Sequence, residues 1–140
     1  MSLTKSTAGN RIILHDNVVP RLPSSTYTSA GPVVGDLLKN SSTGNALDHC
    51  ANNDPPTYYL VSTNSGNGVL SAARLSPGVQ LVADYASTVA VGDKVVCTGS
   101  RGTIVTGTDQ VKTDNTNGVG TIIAKDANSP GGTGTCVIIF

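Results

Sequence analysis

The chain contains no glutamate: its nine acidic residues are all aspartate. Glutamate suits helix interiors, whereas aspartate and asparagine favour turns, so this absence argues against a helical protein. Tryptophan is also missing, and aromatics amount to 4% with a single phenylalanine. The core must rest on Val, Ile, Leu and Ala, which bring less apolar area per residue. Charged residues are only 13% and the formal net charge is zero. That excludes the electrostatic funnel used to gather nucleic acid or anionic lipid. No apolar run approaches the length of a membrane span. Met1-Ser2-Leu3-Thr4-Lys5 lacks the apolar stretch of a secretory signal.

What is present is β-branched residue punctuated by glycine. The 140 residues suit one domain, or one domain with an extension. A chain of this size buries roughly two-thirds of its unfolded surface, a real but modest core. Association with copies of itself or with a larger partner is expected to supply part of the stability. The cysteines Cys50, Cys97 and Cys136 are widely spaced and odd in number. They read as buried free thiols made in a reducing cytoplasm, with a Cys97–Cys136 disulfide between neighbouring strands as the alternative.

The last third carries four short runs: Val91-Gly92-Asp93-Lys94-Val95-Val96-Cys97, Gly102-Thr103-Ile104-Val105-Thr106, Gly118-Val119-Gly120-Thr121-Ile122-Ile123-Ala124, and Gly134-Thr135-Cys136-Val137-Ile138-Ile139-Phe140. Such runs separated by Gly, Asp and Asn read as antiparallel strands joined by tight turns. Upstream, Thr57–Ser62, Val69–Leu75 and Val79–Asp84 read the same way. Asn67-Gly68 and Asn117-Gly118 are hairpin signals. The second is expected to join Asp109–Thr113 to Val119–Ala124. The fold class is therefore all-β: a small antiparallel β-barrel or sandwich of about eight strands, with at most a turn or two of helix. One internal echo stands out. Pro32-Val33-Val34-Gly35-Asp36-Leu37-Leu38-Lys39 resembles Val89-Ala90-Val91-Gly92-Asp93-Lys94-Val95-Val96, and each leads to a Thr-Gly pair. A duplicated strand unit and chance similarity in a Gly- and Val-rich chain both account for it.

Residues 1–23 read as an extended N-terminal arm and residues 24–140 as the β domain. Met1–Asn10 is small and polar. Arg11-Ile12-Ile13-Leu14-His15 is a strand candidate, Asp16-Asn17 breaks it, and Val18-Val19 resumes. Pro20 and Pro23 keep the chain extended and remove backbone donors. Arg11, Ile12, Ile13, Leu14, His15, Val18 and Val19 are the candidate partner-binding residues, because an extended segment can add to the exposed edge of a partner's sheet. Phe140, at the apolar chain end, reads as either a core residue or an oligomer contact.

No constellation points to catalysis. Asp48-His49-Cys50 places three ligand types in a row, but adjacent residues on an extended chain face opposite ways. A zinc site needs about four ligands, and the only other histidine is His15. No Gly-x-Ser-x-Gly elbow occurs. Pro130-Gly131-Gly132-Thr133-Gly134-Thr135 lacks the lysine and the following helix of a phosphate loop. Asp109, Asp114 and Asp126 are too dispersed for a usual calcium loop. Asn40-Ser41-Ser42 matches a glycosylation acceptor, inert without secretion. No catalytic residue, metal or cofactor is expected.

The Gly-punctuated succession from Val91 to Ile139 resembles the decoration, or cement, proteins of tailed-bacteriophage heads. The Pro-bearing arm up to Leu22 fits their extended N-terminal segment. The resemblance implies a non-enzymatic capsid decoration protein, made in the host cytoplasm and carried on the outer surface of the virion. It implies a homotrimer that bridges neighbouring major capsid protein subunits, with no direct nucleic-acid or membrane contact. The competing reading is a carbohydrate-binding or adhesin-like fibre module. It needs exposed aromatics; Tyr27, Tyr58, Tyr59 and Tyr85 are the candidates beyond Phe140. Tyr58 and Tyr59 alternate faces, so one of them is expected to point outward. A small hydrolase or metal enzyme is a third reading.

Overall fold

The computed structural model describes residues 12–14, 18–42, 45–63, 68–85, 89–99, 110–126 and 134–140. These form eleven strands and one short helix. In chain order they are β1 (Ile12–Leu14), β2 (Val18–Pro23), α1 (Ser25–Ala30), β3 (Leu37–Asn40), β4 (Ala46–His49), β5 (Tyr58–Thr63), β6 (Leu70–Arg74), β7 (Gln80–Tyr85), β8 (Val95–Cys97), β9 (Val111–Thr113), β10 (Thr121–Lys125) and β11 (Gly134–Ile139). The all-β expectation is correct. The strand number exceeds it because several strands are only three or four residues long. The run Gly102–Thr106, Asp109 and most of the loop before β11 lie outside the described residues.

Five strands close a barrel in the order β2-β4-β3-β5-β6. A second sheet runs β10-β11-β7-β9-β8, with β1 added to β7. Its two ends are drawn together by backbone hydrogen bonds. Val95 and Val119 exchange both of theirs, at 3.1 and 2.9 Å, while Gly92 N donates to Ile122 O and Ile122 N to Asp93 O, at 2.8 and 2.9 Å.

The two units are the same fold repeated. The first strand runs parallel to the third, β2 with β4 and β7 with β9. It runs antiparallel to the last, β2 with β6 and β7 with β11. The second and third pair antiparallel, β3 with β4 and β8 with β9. So do the fourth and last, β5 with β6 and β10 with β11. Even the irregularities coincide: the ladder shifts register between Leu60 and Ser62 in one unit and between Ile122 and Ala124 in the other.

The echo in the sequence is the start of each unit's second strand. Gly35 and Gly92 have φ of 98° and 99°, the left-handed backbone that a type II turn needs and glycine adopts without strain. Asp36 N donates to Val33 O at 3.0 Å and Asp93 N to Ala90 O at 3.1 Å. Each carboxylate accepts from the first residue of its own turn, Val33 N at 3.0 Å and Ala90 N at 2.9 Å. Gly35 N then donates to Leu60 O at 2.9 Å, as Gly92 N does to Ile122 O. Of the two explanations left open by the sequence, the structure favours a duplicated unit.

The first core is Leu38, Leu47, Tyr58, Leu60, Leu70 and Ala72, closed at one end by Tyr27 of α1. Ser24 caps α1, accepting from Tyr27 N at 3.0 Å. The second core includes Leu81, Val95, Val111, Ile122 and Ile138, and it also takes in Leu37, Cys50 and Tyr59 from the outside of the first barrel. Alternation along β3 and β5 thus sends Leu38 and Leu60 inward and Leu37 and Tyr59 across to the other unit. Polar contacts reinforce that junction. Cys97 N donates to Asp54 O at 2.8 Å, Asn53 N to Cys97 O at 2.9 Å, Gln110 Nε2 to Gly35 O at 3.1 Å and Lys112 Nζ to Asn52 Oδ1 at 2.7 Å.

Two local expectations are revised. Asn117-Gly118 is not a hairpin turn between β9 and β10, which do not pair. Asp114 instead accepts from Thr116 N and Asn117 N at 3.0 and 2.8 Å. The turn sends Val119 to Val95, on the other edge of β8. Of the two cysteine readings, the buried free thiols are what the structure shows, and the alternative fails because Cys97 and Cys136 lie on β8 and β11, which are not neighbours.

Candidate functional site

The residues assigned to the arm divide between the second sheet and the barrel. Ile12, Ile13 and Leu14 form β1, which pairs with Leu81 and Gln80 of β7. Arg11 and His15 lie outside the described residues. Val18 and Val19 belong to β2, paired with Ala73 and Ala72 of β6. The last six residues of the 1–23 segment are thus a stave of the first barrel. Phe140 packs half-buried against the second core. Its N–H donates to Val79 O at 3.0 Å and its carbonyl accepts from Gly78 N at 2.8 Å.

The outer face of β2 is the most distinctive surface. Val19 turns toward the first core, while Val18, Pro20 and Leu22 face out. Val18 is 43% exposed and Leu22 58%, high for large apolar side chains on a strand. Pro20 stands opposite Ser71. Lacking an N–H, it holds its place in the ladder only where its nitrogen faces away from β6. Beside the strip lies a groove of about 360 Å³ lined by Pro20, Arg21, Leu22, Asn45 and Val69. Arg21 Nη1 donates to Pro20 O at 2.9 Å, so its guanidinium lies along the strand.

The repeat gives a control for this face. Matching the registers on β6 and β11 aligns Val18, Pro20 and Leu22 with Gln80, Val82 and Asp84. Asp84 is only 3% exposed. The exposed apolar strip is therefore a property of the first barrel rather than of the shared fold. Sequence reasoning singled out Val18 but missed Pro20, Leu22, Asn45 and Val69. The available signal was apolar residues at every second position from Val18 to Leu22, hidden because two prolines read as an arm.

A second, more polar hollow of about 220 Å³ lies beside α1, lined by Thr26, Tyr27, Ala30, Lys39, Asp48 and His49. Tyr27 and His49 have ring centroids 6.4 Å apart, and Ser24 Oγ hydrogen-bonds Asp48. Lys39 Nζ meets Asp54 Oδ2 at 2.5 Å. That hydrogen bond raises the lysine pKa and lowers the aspartate's, against a smaller desolvation effect on each. No group of three potential metal ligands occurs among the described residues. Hydrogen bonding to Cys50, then burial, pushes the Cys97 thiol up, and burial with Asp84 nearby lifts Cys136 to about 12. Both are held protonated near neutrality, the reverse of an activated thiolate.

The tyrosines offer no stacking platform. Tyr27, Tyr58, Tyr59 and Tyr85 are 1%, 4%, 0% and 0% exposed. Tyr58 and Tyr59 do alternate as expected, but the outward one, Tyr59, enters the second core instead of solvent.

Several turn carboxylates make the protein sensitive to acid. Asp93 is lowered chiefly by the Asn115 side chain and the Ala90 N–H, Asp114 by the Asn117 and Thr116 N–H groups, and Asp54 by Lys39. A depressed folded-state pKa contributes stability above the unfolded value, lost as pH falls through the folded one. The urea midpoint is expected to be flat from about pH 7 to 5 and to fall below about pH 4. A midpoint unchanged at about pH 3 would contradict these assignments.

Comparison with protein families, with curated proteins and with solved structures returns no match for this chain.

Proposed function

We propose that the chain is a structural protein of a bacteriophage particle that binds the outer surface of the head and cements neighbouring major capsid protein subunits, acting as a homotrimer. The reading rests on the resemblance carried by the runs from Val91 to Ile139. The observation that supports it is the exposed apolar strip of β2 with its adjoining groove, a surface suited to a protein partner. Ile12–Leu14 are engaged on β7 of the same chain, so the contact open to a subunit of the shell is carried by β2.

Burying an exposed Val or Leu side chain stabilises a contact by about 2 kcal/mol. One such site binds weakly. Several held together in one oligomer on a symmetric shell bind far more tightly, since each later contact forms at high effective concentration. Leu22→Lys tests the site. Because Leu22 points outward, the variant is expected to keep its far-ultraviolet circular dichroism and Tm. Its binding to expanded heads stripped of this protein is expected to weaken at least about tenfold, the equivalent of losing roughly 1.4 kcal/mol. Wild-type binding by a folded Leu22→Lys protein would remove β2 as the contact.

A further inference from the structure

Two of the three cysteines lie where the two units join. Cys50 follows β4 of the first unit and Cys97 ends β8 of the second; they are 1% and 2% exposed and share one core cluster. The loop that follows Cys50 bonds directly to the backbone of Cys97, which brings the two residues to the same junction. The backbone around them is clamped: Cys50 N donates to Leu37 O at 3.0 Å, Cys97 N to Asp54 O at 2.8 Å and Asn53 N to Cys97 O at 2.9 Å. A Cβ placed on Gly99 would lie 3.1 Å from Asn52 N, so the chain leaving β8 runs tight against the same loop.

The repeat shows that this pairing is not inherited from the unit. The bond from Cys50 N to Leu37 O is matched by the one from Asp114 N to Lys94 O, so the counterpart of Cys50 is Asp114. Cys97 pairs across the sheet with Val111 as Asn40 does with Leu47, so its counterpart is Asn40. Neither junction cysteine has a sulfur at the matching position of the other unit.

We propose that Cys50 and Cys97 are a latent disulfide, a redox clasp that locks the two units together when the protein meets a disulfide oxidant. The balance is that of ordinary exchange. Cys50, as thiolate, attacks an oxidant disulfide such as oxidised glutathione, forming a mixed disulfide and releasing one glutathione thiolate. The Cys97 thiol, held protonated chiefly by Cys50, loses that restraint once Cys50 is in the mixed disulfide; it then gives up its proton, attacks the Cys50 sulfur and displaces the second glutathione as thiolate. Two protein thiols lose two protons and two electrons, and the oxidant becomes two thiols. The clasp does not depend on the capsid reading: it follows from the junction alone. Cys136, on β11, takes no part.

The test uses the native full-length chain, incubated with oxidised glutathione and with diamide, followed by mass spectrometry of the unreduced digest. Expected are the loss of two hydrogens, a peptide cross-link joining Cys50 to Cys97, a free Cys136, and a Tm higher by several degrees that returns on reduction. Cys136→Ala leaves the cross-link in place, whereas Cys50→Ala and Cys97→Ala abolish it. The cross-link map of the unsubstituted protein is decisive even where a variant folds poorly. Three free thiols after prolonged native oxidation, or a disulfide involving Cys136, would overturn the proposal.

Discussion

Asp36→Ala is expected to lower stability by about 2 kcal/mol or more, and Asp93→Ala, at the matching position of the second unit, by clearly less. The two aspartates make the same turn, yet their surroundings differ. Asp36 is fully buried at 0% exposure. Beyond Val33 N it accepts from the Tyr27 hydroxyl at 2.5 Å, which ties α1 to the barrel. Removing the carboxylate leaves the buried Tyr27 hydroxyl without that acceptor, a cost of about 1–3 kcal/mol, and also loses the bond to the more exposed Val33 N–H. Asp93 accepts from Ala90 N, Thr113 Oγ1 and Asn115 Nδ2 at 2.9, 2.9 and 3.2 Å, but water can take its place there. Urea unfolding of the two variants side by side measures the difference. Equal losses would mean that burial of Asp36 does not matter.

Tyr59→Ala is expected to cost about 3–5 kcal/mol, the usual range for deleting a buried aromatic side chain. The side chain leaves the first barrel and enters the second core, so its loss strikes the junction rather than either interior. The wild type is expected to unfold in one cooperative step, because the second core is built partly from the first barrel. In Tyr59→Ala the transition is expected to broaden or split as the units uncouple. A single sharp transition with a loss under about 1 kcal/mol would show that the two units stand independently.

The all-β class was legible because it follows from local chemistry. Absent glutamate, abundant β-branched residues and Gly-Asp or Asn-Gly punctuation all favour strands and turns wherever they fall. β5, β6, β7, β10 and β11 appear within a residue or two of the runs that mark them. β4 did not, because Ala-Leu-Asp-His has little strand preference; it forms through pairing with β3 and β2, contacts no local pattern reveals. β2 read as an arm for a related reason. Its prolines argue against a central strand, and only the barrel's geometry gives Pro20 a place where its missing donor is harmless.

The repeat was half visible. Asp36 and Asp93 keep their turn because the chemistry of a type II turn is exacting. Elsewhere a strand accepts any side chain of suitable polarity. Leu37 is matched by Lys94 and Tyr59 by Thr121, because that side of the first barrel is covered by the second core while Lys94 is exposed and Thr121 half-buried. The same logic hid the candidate site. Leu22 is remarkable only beside its counterpart, the buried Asp84, and that correspondence exists in the paired strands rather than in the letters.

The most direct measurement is density-gradient sedimentation of lysate from the producing culture, probed for this chain. The account predicts that it travels with a large, DNA-containing particle and leaves that position when Leu22→Lys replaces the wild type. A chain that stays at the top of the gradient as a small oligomer, in a lysate where such particles are present, would contradict the account.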